Sequence, residues 1–217
     1  MSAFPHPPTF EVGGQSFRPE EIIDALFDQI SEPRRQRIDR VVANRTYSAV
    51  TVLDGIYDQG NVSAVLRSVE GLGFAEVHIL ETQEKLKTSR RIAQGADKWL
   101  DIHRWKSVVP AVEQLRTRGY RIVATHLEAA TPLDEIDFSV PTAVVFGNEK
   151  DGVSDEIIAQ CDERVIIPMM GFAQSFNISV AAAIGMYHVL SDRKRRLGRN
   201  GDLDEAERGI LTAQYYM

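Results

Sequence analysis

Residues 164–190 read RVIIPMMGFAQSFNISVAAAIGMYHVL, and this stretch decides how the rest of the chain is read. It opens with a β-branched run, Val165-Ile166-Ile167, the pattern of a short buried strand. Pro168 stops that strand, because proline cannot donate a ladder hydrogen bond. A loop follows, with Gly171 as its flexible point and Gln174, Ser175 and Asn177 as its polar groups. Asn177 stands where an N-cap belongs, directly before a helical run from Ile178 to Leu190. That run is small and apolar almost all round (Ala181, Ala182, Ala183, Gly185), which predicts burial and close approach by another backbone or a flat ligand. A strand end, a polar loop and a capped helix N-terminus can hold a polar ligand. Taken alone, the local pattern favours an ordinary strand-loop-helix unit.

Working outward, the chain before this stretch alternates β and α from Ser48 onward, which predicts a largely parallel sheet with helices on both faces. Strands are expected at Ala49–Leu53, Glu76–Leu80, Trp99–Trp105, Tyr120–Thr125 and Thr142–Phe146. Helices are expected at Gly60–Gly71 (opened by Asn61), Thr88–Ala96, Val108–Arg118 and Ser154–Gln160. Residues 1–16, rich in Pro and Gly, read as a loose arm. Phe17–Ile30 carries a helical apolar stripe, and Ser31 caps a second helix with Pro33 in its first turn. An amphipathic piece, Asp202–Tyr216, ends the chain. The expected division is an N-terminal arm and basic helical extension (1–46), a central domain (47–192) and a C-terminal basic extension (193–217).

With 43% apolar residues in 217, the chain can bury one substantial core. Its 25 lysines and arginines face 31 acids, a net charge of −6. That excludes a protein that coats nucleic acid over its whole surface and leaves local basic patches as the only places for a polyanion. Two such patches exist: Arg34, Arg35, Arg37, Arg40 and Arg45, then Arg193, Lys194, Arg195, Arg196 and Arg199. Each reads either as a solvated charged face or as an RNA-backbone contact. A lone Cys161 excludes an internal disulfide and offers no metal-ligand cluster in the sequence, so no metal is expected. With no membrane-length apolar run and no signal-like start, a soluble, cytoplasmic protein is expected.

Two further stretches carry chemistry. In DQGNVSAVLRS (58–68), Asn61 lies at a strand-to-helix corner and Arg67 follows six residues later. They are not strictly on one helix face, yet a long arginine can converge with Asn61 above the strand end. The alternative is a structural salt bridge for Arg67, with Glu149 as a partner. In VVFGNEKDGVS (144–154), a buried strand ends at Gly147, where backbone can approach a ligand at the carboxyl edge of an open sheet. A plain turn explains that pair of glycines equally well.

Together these segments are similar to a known set. N-V-S-A-V-L-R-S, F-G-N-E-K-D-G-V and I-P-M-M-G-F-A-Q-S-F-N-I-S-V-A-A-A resemble, in order, the three motifs of the SpoU/TrmH-type RNA 2'-O-ribose methyltransferases of the SPOUT superfamily. The resemblance covers about residues 32–196, with Phe176 and Ile178 as slight departures. It implies a C-terminal deep trefoil knot in which about Val165–Leu190 is threaded, an outcome that chain-topology rules argue against. It also implies a homodimer with the active site at the subunit contact, S-adenosylmethionine as cofactor and no metal.

By the same resemblance Arg67, Asn61, Glu149, Ser175 and Asn177 are the catalytic set, and Thr125, Gly147, Asn148, Ile167 and Phe176 line the cofactor site. Arg34, Arg35, Arg37, Arg40, Arg193, Arg195, Arg196 and Arg199 are then the RNA-binding set. The expected substrate is tRNA, methylated on the ribose of the D-loop guanosine at position 18. Another tRNA position, rRNA, or a homologue that binds without catalysis are the alternatives; a dinucleotide enzyme ranks last, since G-x-G-x-x-G is missing after the first strand. Arginine is a poor base, with a pKa above ~12, so Arg67 acts either as that base or, more easily, on the phosphate and the developing alkoxide.

Overall fold

A computed structural model describes residues 4–81, 95–128 and 130–217. Among them, seven strands form one sheet in the order β5-β4-β3-β8-β6-β9-β7. They are β3 (Ala49–Asp54), β4 (Glu76–Leu80), β5 (Asp101–Trp105), β6 (Arg121–Thr125), β7 (Thr131–Pro132), β8 (Thr142–Phe146) and β9 (Glu163–Ile166). Every pairing in this sheet is parallel. The reason lies in the inner strands β3, β4 and β8, which are buried along their whole length and so need cover on both faces.

Alternate residues of each strand serve opposite faces. Ala49, Leu53, Val77, Ile79, Val144, Phe146 and Val165 pack under α3 (Gln59–Gly71) and α6 (Ile178–Leu197). Val50, Val52, Ile122, Ala124, Ala143 and Val145 pack under α4 (Val108–Thr117) and α5 (Asp155–Ile158). A third core, at the edge, gathers Ile38 and Val42 of α2 (Glu32–Ala43) with Leu211, Tyr215 and Tyr216 of α7 (Glu205–Tyr216). Both ends of the chain therefore meet, and α1 (Pro19–Leu26) also packs on α7.

The parallel sheet and its helices match the sequence reading, with boundaries that shift. The α5 helix is a single turn, shorter than Ser154–Gln160. Trp99 closes a 3-10 turn, Ala96–Trp99, instead of opening β5. Residues 88–94 of the helix expected at Thr88–Ala96 lie outside the described residues.

Residues 4–16 of the amino-terminal segment are not a loose arm; residues 1–3 lie outside the described residues. Phe10–Val12 (β1) and Gln15–Phe17 (β2) form an antiparallel hairpin. Gly13 and Gly14, at φ 60° and 82°, supply the left-handed pair that a two-residue hairpin loop requires. Ahead of it, His6 Nε2 lies 2.8 Å from Asp101 Oδ2 and 3.0 Å from the Tyr47 hydroxyl, which pins the arm to the sheet.

Helix α6 also departs from expectation. One face, Ile178, Ala182, Met186 and Val189, is core, as its small residues predicted. The other presents Val180, Ile184 and Tyr187, exposed at 45%, 39% and 62%. In the single chain the helix is thus half-covered, not buried all round.

Candidate active site

The carboxyl ends of β3, β6, β8 and β9 open onto one edge of the sheet, and the three motifs meet there. Asp58, not Asn61, caps α3: its Oδ1 accepts from the Asn61 amide at 2.8 Å. An aspartate is the better cap for an N-terminus, and it leaves the Asn61 side chain free to reach across. Asn61 Nδ2 donates to Glu149 Oε1, and Asn61 Oδ1 accepts from Asn177 Nδ2 at 3.2 Å. A single amide thus bridges residues 88 and 116 positions away in sequence. Asn177 is also the N-cap of α6, accepting from the Ser179 amide at 3.0 Å.

Glu149 sits in a loop shaped by Asn148 and Gly147. Asn148 and Gly152 exchange two backbone hydrogen bonds of 3.1 Å. The Asn148 side chain accepts from the amides of Lys150 and Asp151 at 2.9 and 2.7 Å, an Asx turn. The Asn148 carbonyl oxygen of the side chain is therefore committed to the loop. Gly147 is required by packing: a Cβ there would fall 2.0 Å from Gly152 C and 2.1 Å from Val153 N. Backbone, not side chain, fills that place.

Arg67, in the third turn of α3, is exposed, and it has no ion pair among the described residues. The structural salt bridge with Glu149 is not formed; Glu149 takes the Asn61 amide instead. Thr125 ends β6 with its hydroxyl donating to Val145 O at 3.0 Å. Ile167 packs on the core beside β9, Phe176 is half-buried, and Ser175 is exposed. Around this edge lie buried polar atoms with no partner among the described residues, Asp54 Oδ1 and Ser154 Oγ. Asp54 ends β3 and holds the Ser154 amide at 2.7 Å through its other oxygen.

The basic patches are smaller than their sequence count. Arg45 is buried, donating to Glu70 Oε1 and to the carbonyls of Glu70, Phe74 and Trp99. Arg193 is buried as well, donating to Phe138 O at 2.9 Å and Asp202 Oδ2 at 2.8 Å, so this expected RNA contact is a structural one. Arg195 and Arg196 both engage the buried Asp192, and Arg35 is tied to the carbonyls of Phe27 and Ile30. Arg34, Arg37, Arg40 and Arg199 are exposed with no ion pair among the described residues.

Sequence reasoning missed one polar cluster. Glu76, His78 and His103 bring ligand-type atoms within 4.8 Å of one another. The indole N–H of Trp105 donates to His78 Nδ1 at 3.0 Å, so Nε2 carries the proton and donates to Glu76 at 2.9 Å. Arg118 grips both oxygens of the same carboxylate. An arginine seated on the central carboxylate makes this an ion-pair network at the opposite, amino end of the sheet. Its members hold Glu76 ionised well below the usual carboxylate range against the cost of burial, and burial holds His78 below the ordinary imidazole value. The i, i+2 pair on β4 was readable, but His103 joins only through the β4–β5 register.

With this geometry in hand, the comparisons with known proteins are specific. Residues 48–187 match the family described as SpoU rRNA Methylase. A tRNA (guanosine(18)-2'-O)-methyltransferase of Borreliella burgdorferi is 36% identical over 195 residues, 89% of this chain and 89% of its own. The protein of that name from Escherichia coli K12 is 34% identical over 182 residues, 82% of this chain and 80% of its own. Among solved structures, the A. aeolicus TrmH/SpoU tRNA modifying enzyme superposes with a TM-score of 0.75 at 32% identity, covering 85% of this chain and 96% of that one. The SpoU methyltransferase AviRb from Streptomyces viridochromogenes in complex with AdoMet gives 0.61 at 26% identity, over 70% of this chain and 58% of its own. The family match spans well over half the chain and contains Arg67 as well as Asn61, Glu149 and Asn177, the three residues that meet at the sheet edge: the chain belongs to the SpoU rRNA methylase family.

Proposed function

We propose that this protein is an S-adenosylmethionine-dependent tRNA 2'-O-methyltransferase that modifies the ribose of guanosine 18, working as a homodimer in the cytoplasm. The observation that carries the reading is the bridge Glu149–Asn61–Asn177, which draws three distant segments to one point, with Arg67 exposed on the same helix α3 and without an ion pair among the described residues. The names of relatives that match over most of the chain support the substrate.

The sheet edge fits the cofactor: Gly147 lets loop 148–152 fold tightly against the end of β8, and strand ends and a capped helix turn polar groups outward. Thr125, Gly147, Asn148, Ile167 and Phe176 would hold it, largely through backbone. When bound, the cofactor supplies a methyl carbon already activated by its sulfonium. The chain's own work is alignment and charge. Arg67 grips the RNA phosphate next to the reacting ribose and stabilises the developing alkoxide, a task for a planar fork of donors. Asn61 is fixed by its two side-chain partners and orients the hydroxyl; Ser175 lies in the loop just before Asn177 and contributes a hydroxyl. A 2'-hydroxyl is required, so DNA is not a substrate.

The subunit contact is supplied by the exposed stripe Val180, Ile184 and Tyr187, spaced i, i+4, i+7, together with Met170 and Phe172 of the preceding loop. The threaded C-terminus implied by the family has support in the strand order, where β9 inserts between β6 and β7, both earlier in the chain. Within the flanking segments 1–46 and 193–217, the exposed Arg34, Arg37, Arg40 and Arg199 are the groups that face RNA.

The test is direct: unmodified tRNA transcripts are incubated with labelled S-adenosylmethionine and the product is mapped nucleotide by nucleotide. Label at guanosine 18, lost when that ribose is deoxy, is expected. Label at a different nucleotide, or none on tRNA but some on rRNA, overturns the assignment.

A further inference from the structure

On the flank formed by α2, α7 and the far end of α3 lies a cavity of about 280 Å³. Its wall is one stripe of α2, Arg34, Arg37, Ile38 and Val41, spaced i, i+3, i+4, i+7. Trp99 and Tyr215 line it from the opposite side, their rings edge-to-face at 5.2 Å. Arg45 and Glu70 complete it. The floor is rigid, because buried Arg45 ties Glu70 Oε1 at 2.9 Å and Trp99 O at 3.2 Å, and Tyr215 donates to Trp99 O at 3.4 Å. Arg45 Nε has no partner among the described residues.

We propose that this cavity is a second nucleotide subsite, taking one unstacked base of the RNA substrate with its phosphate held by Arg34 and Arg37. The inference rests on the methyltransferase reading above. Size limits the guest: the space falls just under the roughly 300 Å³ where drug-sized pockets begin, so it suits one base. Charge selects an anion, since three arginines face one carboxylate in a chain of net charge −6. Arg34 and Arg37 are exposed on the helix surface, free of ion pairs among the described residues, as phosphate binders must be. Trp99, exposed at 37%, offers a flat face for stacking, the sequence-tolerant way a protein holds an unpaired base. Glu70 sets the orientation: its carboxylate repels phosphate and accepts from a base N–H, so the base enters first.

The position suits one RNA spanning both sites. Asn61 stands at the active-site end of α3 and Glu70 near the other, so about 14 Å of helix, at roughly 1.5 Å per residue, separates them. A folded RNA whose target ribose is at Arg67 lays neighbouring nucleotides across that distance.

The experiment has two arms. In the first, intrinsic tryptophan fluorescence is titrated with GMP, guanosine and inorganic phosphate, with the methyl-transfer site blocked by S-adenosylhomocysteine. Saturable quenching by GMP is expected, several-fold tighter than by guanosine, and reduced to the guanosine level in Arg34→Ala/Arg37→Ala. In the second, tRNA Kd and KM are measured. Arg34→Ala/Arg37→Ala and Trp99→Leu should each raise them about tenfold, Trp99→Phe should recover most of the loss, and the S-adenosylmethionine Kd should stay the same. A tRNA Kd within twofold of wild type for both Trp99→Leu and the double variant overturns the subsite, as does equal quenching by phosphate alone. Wild-type protein that is quenched by GMP yet methylates no tRNA refutes the functional reading and leaves the pocket standing.

Discussion

Replacing Gly147 by alanine puts one methyl group into the tightest backbone contact of the site. The new Cβ would lie 2.0 Å from Gly152 C, 2.1 Å from Gly152 O and 2.1 Å from Val153 N. Ordinary carbon contacts need roughly 3.5 Å, so loop 148–152 must retreat by about 1.5 Å. None of the three atoms is a flexible side-chain tip, and the Asx turn at Asn148 moves as a unit with them. Overpacking of this kind costs about 1–3 kcal/mol, which in a chain of this length lowers Tm by roughly 2–12 °C. Function falls further, because Glu149 rides on that loop and a misplacement of about 1 Å can cost ~100-fold in rate. Calorimetric titration with S-adenosylmethionine, a melting curve and single-turnover methyl transfer would read the three effects. Gly171→Ala serves as control: no atom lies within 4 Å of its Cβ position, so stability should change by less than about 0.5 kcal/mol. A Gly147→Ala protein with wild-type cofactor affinity and a rate within twofold would refute the close-approach argument.

Arg67→Ala and Arg67→Lys should each abolish methyl transfer while cofactor binding, measured by calorimetry, survives, since a lysine cannot copy the planar fork; near-native kcat in Arg67→Lys removes the role given to it. Ile184→Glu/Tyr187→Glu should convert a dimer to monomers in sedimentation at micromolar concentration, whereas a wild-type monomer with full activity would refute the contact. The Glu76–His78 network predicts acid lability. His78 is held neutral by burial, so the unfolded chain binds more protons below its value of about 6.5 and stability falls as pH drops below that point. Glu76, held low, adds a loss that begins as pH falls into the unfolded carboxylate range and continues as pH falls further. Melting curves from pH 7.5 to 4 should show this decline, and His78→Gln should flatten its upper part.

Much of this architecture was legible because hydrophobic pattern and pairing type are linked: two-sided apolar strands at Ala49, Thr142 and Arg121 admit little but a covered parallel sheet. The convergence of Asn61, Glu149 and Asn177 was not, because their separations of 88 and 116 residues carry no local signal. Only the motif resemblance pointed to it. Charge counting misjudged Arg45 and Arg193, since a count cannot see burial. A finer reading would have caught both: Ala182, Met186, Val189 and Arg193 form one helical stripe, and Arg45 continues the line of Ile38 and Val42. The amino-terminal hairpin was also readable, from Gly13-Gly14 set between Phe10-Glu11-Val12 and Gln15-Ser16-Phe17. Proline content ahead of it masked that signal.

The interior strand β3 is bonded to β4 on one side and to β8 on the other, and Ala49 pairs with Thr142. On a ribosome adding about 5–20 residues per second, the second partner is made roughly 5–20 seconds after the first strand. Through that interval an apolar strand, buried on both faces in the finished protein, has one edge open to any passing chain. Synthesis rate, and the chaperones present during it, should therefore govern the yield of this protein more than its final stability does. Slower elongation between codons 54 and 142 should increase the aggregated fraction without altering the Tm of the molecules that escape.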